Sequence, residues 1–262
     1  MKNLKKISTV VIMLTFFAST ISAKAQTESR QFYQLKTYLF SSDEQVAQTD
    51  AFLKDAYLPA LKRLGINNVG VFKLKEVTDS VQKIFVLIPF SSLEDFAALD
   101  GKLTSDAKFQ KDGKDYITTS YDKQPYIRIQ SILLKAFEDM PMLKPSALTG
   151  NRKDRVYELR SYQSPTVAYH KNKVKMFNQG GEVALFKKLK FNAVFYSEVL
   201  SGPDMPNLMY MTTFENQESR DAHWKSFGDA PEWKKLSALP EYQNNVSRNE
   251  QTFLYPTEYS DY

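Results

Sequence analysis

The chain has 262 residues, of which 42% are apolar, 13% aromatic and 25% charged. This composition predicts one or two globular domains and excludes a disordered chain, which would have few aromatic residues and a large charge imbalance. The absence of cysteine excludes disulfides, thiolate metal sites and cysteine nucleophiles, and two histidines are too few for a zinc site of several histidines.

Residues 1–25 have the pattern of a secretory signal peptide. Three lysines precede the apolar run "ISTVVIMLTFFASTI", and the "AKA" segment at 23–25 is a small-residue cleavage pattern before Gln26. The run is shorter than the roughly 20 apolar residues that a membrane-spanning helix needs. We therefore expect an exported protein, periplasmic or secreted, without membrane attachment after cleavage.

Removal of this segment nearly cancels the basic charge of the chain. Residues 1–25 contain four lysines and no acids, so 31 basic and 30 acidic residues remain, a net charge of +1. Nucleic-acid binding requires lysine and arginine clustered on one face. We therefore expect no nucleic-acid partner.

The chain repeats itself with an offset of 124 residues. The strand-like "FYQLKTY" at 32–38 corresponds to "VYELRSY" at 156–162, and "FVLIPF" at 85–90 corresponds to "MYMTTF" at 209–214. Further on, "DAKFQK" corresponds to "APEWKK", which aligns Phe109 with Trp233. The sequence therefore predicts two related structural units.

The first unit is predicted as strand, helix, two strands, helix and strand. A first strand at 31–39 precedes a helix that is capped by Asp43 and ends at Gly65. Strands that open near 70 and cover 85–90 follow, then a second helix at 92–102, a short helix carrying Phe109, and a last strand at 126–134.

The second unit repeats this order. Its first strand covers 155–163, and its first helix carries an apolar stripe from Val167 to Leu189 that Gly180-Gly181 should break. A hairpin of strands at 192–200 and 208–214 follows, then a helix at 217–227, a short helix with Trp233, and a strand at 247–255.

These elements predict the domain organisation and an α+β fold class. Residues 1–25 form the signal peptide, 26–137 a first repeat, 138–153 a linker with two prolines, and 154–262 a second repeat. Each repeat is a ferredoxin-like βαββαβ unit, whose antiparallel sheet carries both helices on one face. Two such sheets should face each other as a dimeric-type α/β barrel within one chain. A monomer can bury both sheets in this way, so we expect either a monomer or a homo-oligomer.

The second repeat resembles the NIPSNAP family. The matching motif residues are Tyr157, Glu158, Leu159, Arg160, Tyr162, Arg220, Pro231, Glu232 and Trp233. The first repeat is a degenerate version, because Gln34, Lys36 and Phe109 replace the family's Glu, Arg and Trp. The resemblance implies membership of the ferredoxin-like, dimeric α/β barrel group, whose relatives include cofactor-free oxygenases and haem-binding proteins. Fold alone does not assign an activity.

Five residues are candidates for contacting a ligand. Arg160 could orient an anionic ligand, with Tyr162 as a hydrogen-bond partner. His170 could shuttle protons or bind haem. Arg220 and His223, one helical turn apart, could bind a carboxylate or another oxyanion. Because the first repeat lacks the equivalent residues, any such site should lie on the side of the second repeat.

Each candidate also has a structural interpretation. Glu158 and Arg160 share one face of a strand and could form an ion pair, while His170 could be a packed histidine and Trp233 could fill a gap between helix and sheet. The pattern leaves open whether Glu158 and Arg160, or Tyr157 and Leu159, line the barrel.

The sequence predicts no cofactor and contains none of the common catalytic motifs, such as G-x-S-x-G, H-E-x-x-H or a glycine-rich phosphate loop. We favour a module that binds a small, partly apolar ligand or a protein partner in or beside the barrel. The alternative is a cofactor-free oxygenase or isomerase-like enzyme acting on an aromatic or polyketide-like compound. An enzyme should place a histidine or paired acids inside the barrel cavity, whereas a binder should place tyrosine, phenylalanine and methionine there.

Overall fold

The computed structural model describes residues 29–77 and 81–262, so the predicted signal peptide lies outside the described residues. The strands of the described chain are β1 (Phe32–Phe40), β2 (Gly70–Leu74), β3 (Gln82–Phe90), β4 (Arg128–Ala136), β5 (Val156–Gln163), β6 (Asn192–Ser201), β7 (Asn207–Phe214) and β8 (Arg248–Pro256).

The helices cover one side of each repeat. In the first repeat they are α1 (Asp43–Phe52), a π-helical turn (Leu53–Tyr57), α2 (Leu58–Arg63), α3 (Leu93–Ser105), α4 (Ala107–Asp112) and α5 (Lys114–Ile117). In the second repeat they are α6 (Val167–Phe177), α7 (Glu182–Lys188), α8 (Gln217–Asp229), α9 (Pro231–Ser237) and a 3-10 turn (Pro240–Tyr242).

The strands form one closed antiparallel barrel in the order β1-β3-β2-β8-β5-β7-β6-β4, which confirms the predicted fold class. Within each repeat the order is that of a ferredoxin-like sheet, β4-β1-β3-β2 and β8-β5-β7-β6. The two sheets join edge to edge at two seams, where β2 pairs with β8 and β4 pairs with β6. Each repeat therefore supplies the neighbour that the other repeat's edge strand needs.

Side-chain caps explain where the long helices begin. Ser42 accepts a hydrogen bond from the Gln45 amide at the start of α1, and Thr166 accepts one from the Tyr169 amide at the start of α6. The predicted cap Asp43 is wrong by one position, because Asp43 lies in the first turn and only adds negative charge there.

Glycines with a left-handed backbone end or break the helices of both repeats. Gly65 has φ 79° after α2, and Gly181 has φ 87° between α6 and α7, so the predicted break is confirmed. The π-helical turn that joins α1 to α2 was not predicted.

The two faces of each strand have different roles. In β5, Tyr157 and Leu159 point into the barrel, where they join residues of both repeats in one apolar cluster. Tyr162 points outward and packs with the helices of the second repeat, and Glu158 and Arg160 share that outward face. Tyr157 and Leu159 therefore line the barrel, and Glu158 and Arg160 face the helices.

Side chains fill the barrel interior. The interior cluster consists of tyrosine, phenylalanine, methionine and aliphatic residues, including Tyr33, Phe85 and Phe195. Tyr262 inserts beside Phe72, with ring centroids 5.5 Å apart. Both histidines of the chain lie on α6 and α8, in the helix layer outside the barrel.

Candidate functional site

Glu158 is the centre of a buried polar network between β5 and α8. Its fully buried carboxylate accepts hydrogen bonds from Arg160 Nε at 2.7 Å, from Arg220 Nε at 2.9 Å and Nη2 at 2.8 Å, and from Trp224 Nε1 at 2.7 Å. Burial by itself would raise the pKa of Glu158, but the hydrogen bonds from Arg220 and the charge of Arg160 hold this pKa below its usual value. The carboxylate is therefore ionised at neutral pH.

Arg160 directs its remaining donors and its flat face to other groups of the second repeat. Its Nη1 donates to the Tyr162 hydroxyl at 3.1 Å, and its guanidinium lies 3.7 Å from the centroid of the Trp224 ring. The hydroxyls of Tyr162 and Tyr210 are 2.8 Å apart. Arg160, Tyr162 and Arg220, predicted as ligand contacts, are thus brought together around Glu158, and ligand contact by them stays a prediction.

A second buried ion pair, which the sequence did not reveal, lies beside this network. Lys173 Nζ on α6 is 2.9 Å from Glu182 Oε2 at the start of α7. Burial raises the pKa of Glu182, while the charge and hydrogen bond of Lys173 act in the opposite direction. The break at Gly180-Gly181 brings the two residues together, and that break was the only available signal in the sequence.

His170 lies apart from the Glu158 network. It is 8% exposed on α6, and its Nδ1 is buried without a hydrogen bond to the described residues. Burial lowers the pKa of His170, and the charge of Glu198 on β6 acts in the opposite direction. The roles as proton shuttle and haem ligand therefore stay predictions.

A groove with a volume of about 610 Å³ lies beside the barrel, between the linker and the second repeat. We call it the linker groove. Its apolar lining residues are Met140, Pro145, Ala147, Leu148, Val183, Phe191, Ala193, Tyr196 and Phe214. Its charged and polar lining residues are Asp139, Lys144, Lys187, Lys190, Asn192, Thr213, Glu215, Ser219 and His223.

The side chain of His223 lines the linker groove. Its Nδ1 is 2.6 Å from the Ser219 carbonyl oxygen, which can only accept, so Nδ1 carries the hydrogen. Its Nε2 makes no hydrogen bond to the described residues. The centroid of its ring lies 5.6 Å from that of Phe191 and 5.4 Å from that of Phe214. In the tautomer that carries its hydrogen on Nδ1, Nε2 is the acceptor nitrogen.

Arg220 and His223, although one turn apart, do not form a joint site. Arg220 reaches inward to Glu158, whereas His223 faces the linker groove. Residues three apart lie only about 60° from each other around a helix axis, so the spacing alone would allow a joint site. The two side chains are separated by their partners, Glu158 for Arg220 and the Ser219 carbonyl for His223.

A larger groove of about 1050 Å³ lies in the first repeat beside α1 and α5. Most of its lining residues are polar or acidic, including Glu44, Asp55 and Asp115, while more than half of its lining surface is apolar. The stacked rings of Phe52 and Tyr116 are among the lining residues. Among the described residues there is no cluster of three or more potential metal ligands. In the same part of the chain, no helix has the length and apolarity needed to cross a bilayer.

Comparisons with known proteins agree with this architecture. Residues 157–261 match the NIPSNAP family model, and no curated protein matches the chain. A proposed monooxygenase from Fusobacterium nucleatum subsp. nucleatum is similar with 9% identity and a TM-score of 0.57, covering 87% of this chain and 93% of that chain.

Two further solved structures have the same overall fold. One, a proposed monooxygenase from Lactobacillus acidophilus, has 10% identity, a TM-score of 0.52 and coverage of 87% of this chain and 94% of that chain. The other, an anthrone oxidase-like protein, has 9% identity, a TM-score of 0.51 and coverage of 88% and 93%. At such identities the similarity concerns the fold alone. The second repeat of this chain is a NIPSNAP domain, and it is closed into an α/β barrel by the first repeat.

Proposed function

We propose that this protein is a binding module for a small, partly apolar molecule, and that the linker groove is its site. The observation that carries the proposal is a groove of about 610 Å³ whose lining surface is mostly apolar and is bordered by charged and polar side chains. Ligand sites are typically concave, mostly apolar and about 300–1,000 Å³ in volume.

The barrel supports a site beside it rather than inside it. Tyrosine, phenylalanine, methionine and aliphatic side chains fill the interior, and Tyr262 occupies part of it. A ligand there would have to displace packed side chains, whereas the linker groove is open. Neither histidine lies inside the barrel, so the barrel interior also lacks the histidine that an enzyme site there would need.

His223 favours a second candidate at the same groove, a cofactor-free oxygenase. Its free Nε2 could accept the proton of an acidic aromatic hydroxyl or carbon acid, which is the step that makes such a compound reactive toward oxygen. This candidate predicts oxygen consumption with an anthrone-type substrate, and loss of that consumption in His223→Phe. The binding proposal predicts binding without oxygen consumption.

Native mass spectrometry of the protein purified from its producing cell tests the binding proposal. We expect a small-molecule adduct that survives in Ala97→Trp, a change at an exposed position on α3, and disappears in Ala147→Trp, where the indole would occupy the groove. Equal adduct in both variants, or no adduct in the unaltered protein, would contradict the proposal.

A further inference from the structure

We infer that the molecule bound in the linker groove is an apolar monocarboxylate, whose anionic end lies near Lys187 and Lys190. This inference rests on the proposed function and adds the chemical class of the ligand. It is drawn from the pairing of the lysines, from the backbone at Lys190 and from the charge of the groove.

Lysines near the groove differ in whether a carboxylate neutralises them. Lys173 pairs with Glu182, and Lys188 pairs with Glu232. Lys144, Lys187 and Lys190, which line the groove, make no ion pair within the described part of the chain. Adjacent residues of the same helix are thus treated differently, and the lysine without a carboxylate partner is the one at the groove.

Lys190 occupies a position where glycine would be the residue of least strain. It follows the C-cap Leu189 of α7 and has φ 60°, whereas Gly65 follows the C-cap Leu64 of α2 with φ 79°. Helices commonly end with glycine in this left-handed conformation because a side chain is penalised there. The second repeat therefore has a lysine where the first repeat has glycine, the residue that adopts the left-handed conformation with the least strain.

The charge of the groove fits a monoanion. Three lysines and two carboxylates, Asp139 and Glu215, line it, which leaves a net charge of +1 when His223 is neutral. Glu215 accepts a hydrogen bond from the Gly150 amide at 3.3 Å, which directs this carboxylate to the linker and leaves its charge unchanged. One carboxylate with an aromatic or aliphatic body would match the remaining charge and the apolar floor.

Isothermal titration with a matched pair of ligands tests the inference. We expect 2-naphthoate to bind about five-fold more tightly than its neutral analogue 2-naphthalenemethanol, which is the preference that exposed lysines can provide. In the double variant Lys187→Ser, Lys190→Gly this preference should fall to about one-fold while the affinity for the alcohol is unchanged. Lys188→Ser, beside them but paired with Glu232, is the control and should keep the preference.

The outcomes separate this inference from the proposed function. Suppose that Ala147→Trp blocks binding, so that the ligands do occupy the groove. Equal binding of both ligands, or a preference for 2-naphthoate that survives in the double variant, would then overturn the inference that the natural ligand is a carboxylate. If the unaltered protein binds neither ligand, or if Ala147→Trp has no effect on binding, the groove itself is wrong and both proposals fail.

Discussion

Glu158 shows how one residue differs between the two repeats. Its carboxylate is held by Arg160, Arg220 and Trp224. At the corresponding positions of β1, Gln34 donates to the Ser131 hydroxyl at 2.8 Å and Lys36 donates to Tyr57 at 3.3 Å. Burial lowers the pKa of Lys36, with the charge of Asp100 acting against this shift. The first repeat thus uses neutral and weaker contacts where the second uses a charged network.

Replacing Glu158 by glutamine should therefore destabilise the protein strongly. The change leaves two arginines without their shared carboxylate in a buried site, and we expect the free energy of unfolding to fall by about 3–5 kcal/mol. Urea denaturation measures this loss. Gln34→Ala is the matched control in the first repeat, where only one neutral hydrogen bond is removed, at a cost of about 1 kcal/mol.

The free energy of unfolding, measured as a function of pH, tests whether Glu158 is ionised in the folded protein. Because its folded pKa is depressed, the stability it contributes is present above its unfolded value, about 4.3, and is lost as pH falls through the folded pKa. Glu182 has a raised folded pKa, so it contributes the opposite slope. The difference between the unaltered protein and Glu158→Gln isolates Glu158. A difference that stays constant below about pH 5 would contradict the ionised network.

Sequence reasoning succeeded for residue pairs within one strand. Glu158 and Arg160 are two residues apart in β5, and the strand period alone predicts that they share a face and can pair. The same reasoning could not place Arg220 and His223, because the rotation of α8 about its axis depends on packing against β7 and α7. The apolar stripe of a helix does not define this rotation closely enough to tell which partner each residue at its border will face.

At the scale of elements, the helix ends show the cost of a left-handed backbone. Gly65 and Gly101 both have open space where a Cβ would lie, but only Gly65 has a positive φ, at 79°. We expect Gly65→Ala to lower the free energy of unfolding by about 1 kcal/mol or more. Gly101→Ala, within α3, should raise it by about 0.5–1 kcal/mol, because alanine favours the helix. Thermal unfolding measures both, and equal shifts would contradict the conformational explanation.

Some elements could be predicted from the sequence and others could not. The strands and the break at Gly180-Gly181 followed from periodicity and glycine placement. The π-helical turn at Leu53–Tyr57 did not, since its buried residues Leu53 and Tyr57 are four apart, a spacing that an ordinary α-helix also has. The sequence also did not predict that linker residues such as Asp139 and Leu148 line the groove, because their segment has no helical or strand periodicity.

At the scale of the whole molecule, the two repeats share one barrel and should unfold together. Both tryptophans, Trp224 and Trp233, lie in the second repeat, so tryptophan fluorescence reports on that repeat alone. Leu61→Ala in the first repeat removes a fully buried side chain and should cost about 2–5 kcal/mol. Because of the seams β2–β8 and β4–β6, we expect this change to lower the urea midpoint of the fluorescence transition.

The control for this coupling is Leu93→Ala, since Leu93 is 42% exposed on α3 and its loss should hardly move the midpoint. A fluorescence midpoint that is also unchanged in Leu61→Ala would mean that the repeats unfold independently. The internal repeat predicted this shared barrel, but the pairing of each edge strand with the other repeat depends on the twist of both sheets, which the sequence does not state.

The position of a bound ligand would show whether the binding site lies beside the filled barrel. Crystals grown with 6-bromo-2-naphthoate would locate the ligand by the anomalous signal of its bromine. We expect a peak in the linker groove, against Phe191 and Phe214, with the carboxylate toward Lys190. A peak inside the barrel or in the groove beside α1 would contradict it.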